Sequence, residues 1–245
     1  MKTAIIGGTG LIGLNLYDIY KADVFCSSNI NEIESGYDLL FIAAPSAKKW
    51  VAAANPDADN DACLKVADAA INTKSKKIVY FSTIDVYSPD QACLLSVDED
   101  TIPLSNEAYG KNRRKLELKL LSSGLDCSII RLPGLFGKYL SKNPIFDIKT
   151  LNQVDKIKLN ATYQWFNLRQ LPVLLNKVIY ENISLINVVN PPIGMREILA
   201  NYPALLSKVD SVSFGANYNL GSKFGYVKND KEATLAEILA FINEK

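Results

Sequence analysis

The chain has 245 residues, 48% of them apolar, enough to bury one large domain or a large domain and a small one. Its 27 basic and 26 acidic residues nearly cancel, which excludes a general affinity for nucleic acid or for membrane surfaces. The sequence contains no histidine, so we exclude Ser-His-Asp and Cys-His catalysis, predict no metal site, and expect any acid or base to be Tyr, Lys, Asp, Glu or Cys.

The first fourteen residues contain the strongest motif in the chain. Thr3 to Ile6 predicts a strand, and Leu11 to Tyr20 predicts a helix that follows it directly. Between them Gly7 allows a sharp bend, Gly10 lets the backbone approach a pyrophosphate, and Gly13 lets the helix pack on the strand. This placement predicts a dinucleotide-binding fold, the alternative being a purely structural turn. The predicted cofactor contacts in this loop are Gly7, Gly8, Thr9, Gly10, Leu11, Ile12 and Gly13.

The end of the second predicted strand bears on which cofactor is bound. Asp23 to Ser28 predicts this strand, and an acid at its end usually holds the ribose 2′-hydroxyl of NAD. Here Ser27, Ser28 and Asn29 occupy the strand end, and Glu32 lies past it in a polar connector. Without an acid a 2′-phosphate is not repelled, and without an arginine it is not strongly attracted. The cofactor is therefore NADP or NAD, with NADP favoured.

The next part of the sheet is expected to be shortened. Residues 29–37 are too few for a full helix and a further strand. Residues 38–44 are nearly all apolar, which predicts a strand that is buried on both faces. Ligands bind outside the carboxyl ends of the strands in such sheets. The loop at the end of this strand supplies three further predicted cofactor contacts, Ala43, Ala44 and Pro45.

The rest of the chain continues to alternate strands and helices. Asn55 as N-cap and Pro56 in the first turn start a helix that runs to about Asn72. The long connector over 88–105 is expected to be functional because it lies at the ligand-binding edge. The other predicted elements are strands over 76–82, 126–131, 163–167 and 185–189, helices over 109–123 and 171–180, and a last helix with a capping box at Thr234 and Glu237.

This alternation predicts an α/β fold with a doubly wound parallel sheet, the Rossmann fold, and a small C-terminal lobe. We assign residues 1–137 to the dinucleotide-binding domain and 138–245 to a reduced substrate-binding lobe that is partly interleaved with it. The N-terminus does not resemble a signal peptide and no apolar stretch approaches the length of a bilayer span, so we expect a cytoplasmic protein. Four cysteines without a CxxC pair are expected to be free thiols, namely Cys26, Cys63, Cys93 and Cys127.

Four motifs occur together, in an order and at a spacing that are informative. They are Gly7-x-x-Gly10-x-x-Gly13, Ser82-Thr83-x-x-Val86-Tyr87, Tyr109-Gly-Lys-Asn-Arg113 and Arg131-Leu-Pro-Gly-Leu-Phe-Gly137. With these motifs the sequence resembles the extended short-chain dehydrogenases/reductases, of the NAD-dependent epimerase/dehydratase kind that acts on nucleotide sugars. The resemblance covers residues 1–137, with weaker similarities at 164–167 and 187–192.

The resemblance implies catalytic roles. Tyr109 would be the general acid/base, and Thr83 would hydrogen-bond the same substrate oxygen. The family places a lysine four residues after the tyrosine, where it lowers the tyrosine pKa and binds the nicotinamide ribose, but here Arg113 stands at that position. At about 100° per residue, Lys111 lies roughly 200° from Tyr109 around the helix, whereas Arg113 lies only about 40° away. Arg113 is therefore the candidate for both tasks, the alternative being a solvated surface pair.

The remaining site predictions carry alternatives. Pro133 is a further predicted cofactor contact, following the resemblance. Ile84 stands where family dehydratases carry an acid and cannot protonate a leaving hydroxyl, so dehydration is disfavoured against hydride transfer. Lys48 and Lys49 either meet a phosphate or are a solvated pair. The predicted substrate contacts are Ser82, Thr83, Asp85, Tyr109 and Trp165, where Asp85 is alternatively a structural loop residue and Trp165, like Trp50 and Phe166, alternatively a core aromatic.

Two functions follow from these features. The first is an NAD(P)-dependent oxidoreductase or epimerase that transfers hydride to or from a sugar, as a nucleotide sugar is the substrate that the resemblance implies. The second is a catalytically weak NAD(P)-binding protein that acts as a redox sensor or an assembly partner, suggested by Arg113 and the short second lobe. The resemblance also implies a homodimer that pairs through the helix carrying Tyr109 and the helix before it.

Overall fold

The computed structural model describes residues 1–228 and 230–244, and its centre is a parallel β-sheet. The strands are, in chain order, β1 (Thr3–Ile6), β2 (Asp23–Phe25), β3 (Leu39–Ile42), β4 (Lys77–Thr83), β5 (Cys127–Leu132), β6 (Gly134–Phe136), β7 (Thr162–Tyr163), β8 (Trp165–Asn167), β9 (Leu185–Asn187) and β10 (Ile193–Gly194). Six of them form the main sheet in the order β2-β1-β3-β4-β5-β9, all parallel. The predicted doubly wound parallel sheet is confirmed.

Helices cover both faces of this sheet. The helices in the described part of the chain are, in chain order, α1 (Leu11–Tyr20), α2 (Lys49–Ala54), α3 (Pro56–Asn72), α4 (Pro89–Ala92), α5 (Ala108–Leu121), α6 (Pro144–Thr150), α7 (Leu171–Tyr180), α8 (Met195–Leu199), α9 (Pro203–Leu206) and α10 (Lys231–Asn243). Successive strand residues point to opposite faces, so Ile6 packs with residues of α3 and α5, while Ile5 packs with residues of α1 and α7. No helix in the described part of the chain is long and apolar enough to cross a membrane.

The shortened half of the sheet agrees with the prediction. Only a single 3-10 turn, Ile30–Glu32, lies between β2 and β3. The chain therefore passes from β2 across β1, and β3 pairs directly with the far side of β1, with Thr3 opposite Leu39. The strand β2 is left as one edge of the sheet, ending at Phe25 rather than at Ser28 as predicted.

A second core lies beyond the sheet. It is built from β6, β8 and the helices of the C-terminal part, where Trp165, Met195 and Ile238 are buried together. Between α7 and β10 the chain returns to the main sheet, where β9 pairs with β5. The small lobe is thus made of segments on both sides of β9.

Two predicted helix starts and one predicted connector need correction. Asn55 occupies the N-cap position of α3, but within residues 1–228 and 230–244 its side chain forms no capping hydrogen bond. The last helix starts before the predicted capping box, because Asp230 caps it by accepting from the Ala233 N–H at 2.8 Å, and Thr234 is buried inside the helix. The connector over 88–105, predicted without an element, contains α4 with its own capping box at Ser88.

A buried ion pair joins α5 to the sheet. Glu117 and Arg131 are 0% and 1% exposed, and Arg131 donates from Nε and Nη2 to the two carboxylate oxygens at 3.0 and 2.7 Å. Ser82 donates its hydroxyl to Glu117 Oε1 at 2.5 Å, and Arg131 Nη1 donates to the Tyr87 hydroxyl at 2.7 Å. Because the bidentate pair and its neighbours satisfy each other's polar atoms, the buried charges are tolerated inside the fold.

We expect Glu117→Gln to destabilise the fold by about 3 kcal/mol, because it leaves the Arg131 guanidinium buried without a counter-charge. Urea unfolding followed by circular dichroism measures this loss. The matched control is Glu34→Gln, which breaks the exposed pair with Lys2 and should leave the urea midpoint unchanged. Equal midpoints for the two variants would contradict the interpretation.

Candidate active site

The carboxyl ends of the parallel strands bring the predicted cofactor contacts to one edge. Gly7 has a φ of +92°, and a Cβ added there would lie 2.6 Å from the carbonyl oxygen of Ala43. The loop after β3, with Ala44 and Pro45, therefore lies directly against the glycine loop after β1. Pro133 follows β5 at the same edge, half-buried. The fold thus places these predicted contacts on the side of the sheet where ligands bind.

The glycine loop has the close packing and the free helix N–H groups that the predicted pyrophosphate site requires. A Cβ on Gly13 would lie 2.2 Å from the Gly7 carbonyl oxygen, so only glycine lets α1 pack this closely. A Cβ on Gly10 would meet only the Gly7 oxygen, at 3.5 Å, which leaves open space above the first turn of α1. That turn carries no acid, and its free N–H groups favour an anion. Gly8 makes room for β2, because a Cβ there would lie 2.4 Å from Val24 Cγ1.

The end of β2 is a turn rather than a continued strand. Asn29 Oδ1 accepts from the Cys26 N–H at 2.7 Å, and its Nδ2 donates to the Val24 carbonyl at 3.3 Å. The side-chain amide of Asn29 is therefore hydrogen-bonded to the backbone through both its oxygen and its nitrogen, which argues against its predicted role as a cofactor contact. The exposed side chains at this strand end are Ser27 and Ser28.

Tyr109 lies beside the end of β4 because of a close backbone approach. The 3-10 turn Ile84–Val86 follows β4, and the first turn of α5 packs on it. A Cβ on Gly110 would lie 1.9 Å from the carbonyl oxygen of Asp85, so only glycine lets the helix come this near. We did not single out Gly110 from the sequence, although its place directly after Tyr109 is visible there.

Arg113 packs on Tyr109 but points into the protein. Its guanidinium carbon lies 3.9 Å from the centroid of the Tyr109 ring, so the two side chains share one helix face as predicted. The guanidinium is 3% exposed and donates to Asp59 Oδ2 at 2.5 Å and to the carbonyl oxygens of Ser46 and Tyr109. With these donors used inside the fold, the predicted ribose contact is not supported.

The surroundings of Tyr109 hold its phenol in the neutral form. Burial raises the pKa of Tyr109 to about 12, with Arg113 acting in the opposite direction and the carboxylates of Asp85 and Asp59 adding to the rise. Because the charge of Arg113 is paired with Asp59, its help to a phenolate is reduced. An acid/base role for Tyr109 therefore calls for more positive charge than Arg113 leaves available.

Asp85 is the centre of a hydrogen-bond network at the site. Thr83 donates its hydroxyl to Asp85 Oδ2 at 2.8 Å, and Tyr218 donates to Oδ1 at 2.5 Å. Lys49 Nζ lies 2.7 Å from the same Oδ1 and 3.3 Å from the Tyr218 oxygen. Since the only proton of Thr83 is used here, that hydroxyl can offer a substrate a lone pair but not a proton. Asp85 thus organises the site from the loop after β4.

A cleft of about 350 Å³ opens directly beside this network. Polar groups of Lys49, Asp85, Glu107 and Tyr218 line it, together with the small side chains of α4. From the sequence, Lys49 was one of a pair that either meets a phosphate or is solvated, and Tyr218 was not identified as a site residue. Lys49 belongs to a pair that is most simply interpreted as solvated, and no motif surrounds Tyr218, so only the folded chain brings them together.

Two predicted substrate contacts lie elsewhere. Ser82 is buried and donates to Glu117, so it supports the fold instead of facing the cleft. Trp165 is 1% exposed and packs under Gly134, whose added Cβ would lie 2.7 Å from the indole ring. Trp165 and Phe166 are thus core aromatics, the alternative given for them above. Trp50, for which the same alternative applied, is instead 62% exposed on α2.

No protein-family model matches the sequence, and no curated protein matches it. Solved structures match the fold over almost the whole chain. The Bordetella bronchiseptica enzyme WbmG in complex with NAD is 16% identical, with a TM-score of 0.77 over 100% of this chain and 94% of that one. A UDP-N-acetylglucosamine 4-epimerase from Methanobrevibacter ruminantium is 16% identical, with a TM-score of 0.74 over 98% and 96%.

A third similar structure is the dTDP-4-dehydrorhamnose reductase from Bacillus anthracis in complex with NADP. It is 20% identical, with a TM-score of 0.73 over 100% of this chain and 99% of that chain. The chain therefore has the Rossmann-type fold of these proteins, whose structures hold NAD in one case and NADP in another. This is the fold that the resemblance to extended short-chain dehydrogenases/reductases implied.

We expect Gly10→Ala to weaken binding of NADPH at least about tenfold without destabilising the protein. The added methyl meets no crowded neighbour in the fold but occupies the space open to a pyrophosphate. Quenching of tryptophan fluorescence during titration with NADPH measures binding, and thermal unfolding measures stability. Gly194→Ala in the small lobe, also with room for its Cβ, is the control and should bind NADPH normally. Unchanged affinity for NADPH in Gly10→Ala would contradict the prediction that the pyrophosphate binds at this loop.

Proposed function

We propose that the protein is an NAD(P)-dependent oxidoreductase or epimerase that transfers hydride to or from a carbon of a sugar, with a nucleotide sugar as substrate. The observation that carries the proposal is the placement of Tyr109 in the first turn of α5, against the turn of Asp85 and at the same sheet edge as the glycine loop. Support comes from the similar structures, which include a UDP-N-acetylglucosamine 4-epimerase and a dTDP-4-dehydrorhamnose reductase.

The residues of the chain suit proton transfer at one oxygen. When bound at the glycine loop, the nicotinamide cofactor supplies or accepts the hydride. In reduction the O–H bond of Tyr109 breaks and its proton forms the new O–H bond of the alcohol; in oxidation Tyr109 takes that proton back. Thr83 donates its own proton to Asp85, so its oxygen can accept a hydrogen bond from a substrate hydroxyl, whereas the reacting carbonyl oxygen only accepts and takes its hydrogen bond from Tyr109. Ile84 is buried and has no proton to give, so loss of water is not proposed.

A second function is supported by a separate observation. Arg113 is neutralised by Asp59, and the Tyr109 phenol has a pKa of about 12, so the site of the free protein has little driving force for proton removal. A chain that binds NAD(P) but turns over slowly, as a redox sensor or an assembly partner, would have these properties. The two functions differ in whether Tyr109 is needed for any measurable reaction.

We expect the wild type to oxidise NADPH with a panel of nucleotide ketosugars, and Tyr109→Phe to lower kcat at least about 100-fold because the phenol proton is lost. Dissociation constants for NADPH, measured by fluorescence, should stay within about threefold. Arg113→Lys tests the role of the cation beside the tyrosine and should retain activity. If NADPH binds but none of the three proteins turns over any sugar, the oxidoreductase proposal fails and the sensor function remains.

The proposed preference for NADP is tested at the end of β2. Ser27→Asp places a carboxylate where a 2′-phosphate would be repelled and a 2′-hydroxyl would be held. We expect the variant to weaken NADPH about tenfold or more and to leave NADH unchanged or tighter. Parallel equilibrium titrations of wild type and variant measure this. An equal loss of affinity for NADPH and NADH would contradict the prediction that the ribose binds at Ser27.

A further inference from the structure

We propose that Lys49, carried on α2, is the ammonium cation of this active site and stabilises the Tyr109 phenolate after its proton has left. The inference rests on the proposed function, because it assigns a group to the same proton transfer. The position four residues after Tyr109 does not supply this charge, since Arg113 donates to Asp59 and to two carbonyl oxygens within the fold. A buried phenol that must ionise needs an opposite charge nearby.

The position of Lys49 meets this need. Its Nζ lies 5.8 Å from the centroid of the Tyr109 ring and 5.8 Å from that of the Tyr218 ring. An ammonium group has three N–H donors, and two of them are directed at Asp85 and at the Tyr218 oxygen. The side chain is 51% exposed and lines the cleft, so the third donor is available to a substrate or to the reacting oxygen.

Asp85 and Tyr218 orient the Lys49 ammonium group through hydrogen bonds that it can exchange for others. Asp85 accepts hydrogen bonds from the hydroxyls of Thr83 and Tyr218 as well as from Lys49. When a phenolate forms, Lys49 can turn toward it, because two hydroxyl donors still satisfy the carboxylate. Burial and Asp85 raise the pKa of Tyr218 far above its usual value, so Tyr218 keeps the proton that it donates. Tyr163 stacks on Tyr218 at 6.0 Å between ring centroids and helps to hold it in place.

The other charged groups around the site do not replace Lys49. Tyr109 faces Arg113 on its own helix and the turn of Asp85, while α3 presents Asp59 and Cys63, and β4 presents Tyr80. Arg113 is the one cation in this set, and it is paired with Asp59. The pKa of Lys142 is lowered by burial and by Lys48 and Lys49, so Lys142 is no free cation for the phenolate either.

The experiment replaces Tyr109 by 3,5-difluorotyrosine, whose phenol is intrinsically more acidic, so that ¹⁹F NMR follows its titration within the stable pH range. We expect Lys49→Met to raise the pKa of this phenol by about one unit, because a positive charge is lost. Asp85→Asn should move it in the opposite direction. The matched control, Lys48→Met, removes the neighbouring charge and should shift the pKa by less than about 0.2 unit. Thermal unfolding checks that each variant is folded.

Two outcomes overturn the proposal: a phenol pKa unchanged in Lys49→Met, or an equal shift in Lys48→Met. The titration needs no turnover, so it is separate from the test of the proposed function. If the pKa shifts as expected but no sugar is reduced or oxidised, Lys49 is the cation at Tyr109 and the oxidoreductase function fails. If sugars are turned over and the pKa does not move, the role of Lys49 is excluded and the proposed function stands. With an active wild type, Lys49→Met should also move the pH profile of kcat/KM in the same direction as the phenol pKa.

Discussion

The buried pair of Glu117 and Arg131 is the interaction on which the position of the site depends. Glu117 lies on α5 and Arg131 on β5, and their bidentate contact fixes the helix against the sheet at β5. Ser82 at the end of β4 joins the same carboxylate. The element that carries Tyr109 and the strand that ends in Thr83 are therefore held to one another two helical turns below the site. Removing Glu117 would leave Arg131 buried without a counter-charge, whereas removing Arg131 would leave Glu117 paired with the partly exposed Arg114 alone.

Close backbone contacts then bring the chemistry together. At Gly7, Gly13 and Gly110 the absence of a side chain lets one segment touch the backbone of another. The first two shape the loop at the start of α1, and the third lets α5 reach the turn of Asp85. These contacts leave little freedom in the distances between the glycine loop, Tyr109 and the end of β4, and such fixed geometry suits the proposed transfer of a hydride and a proton.

Two ion pairs flank the neutral phenol of Tyr109. Arg113 and Asp59 form the inner, buried pair, and Lys49 and Asp85 form the outer pair at the cleft. The buried pair is held by further hydrogen bonds and has little freedom, whereas the outer pair is partly solvated. In the proposed reaction, a change of charge on Tyr109 would be met by the outer pair, which lines the cleft.

The sequence by itself determined the features that depend on local pattern. Apolar periodicity and the glycine spacing predicted β1, α1 and α7 at their observed ends, the shortened half of the sheet and the parallel architecture. Helical geometry placed Arg113 on the face of Tyr109. Only the tertiary structure decided what these side chains contact, because the partners are distant in sequence: Asp59 is 54 residues from Arg113, and Tyr218 is 133 residues from Asp85. Burial is equally non-local, which is why Ser82 and Trp165 could be predicted as substrate contacts although the folded chain uses them as internal supports.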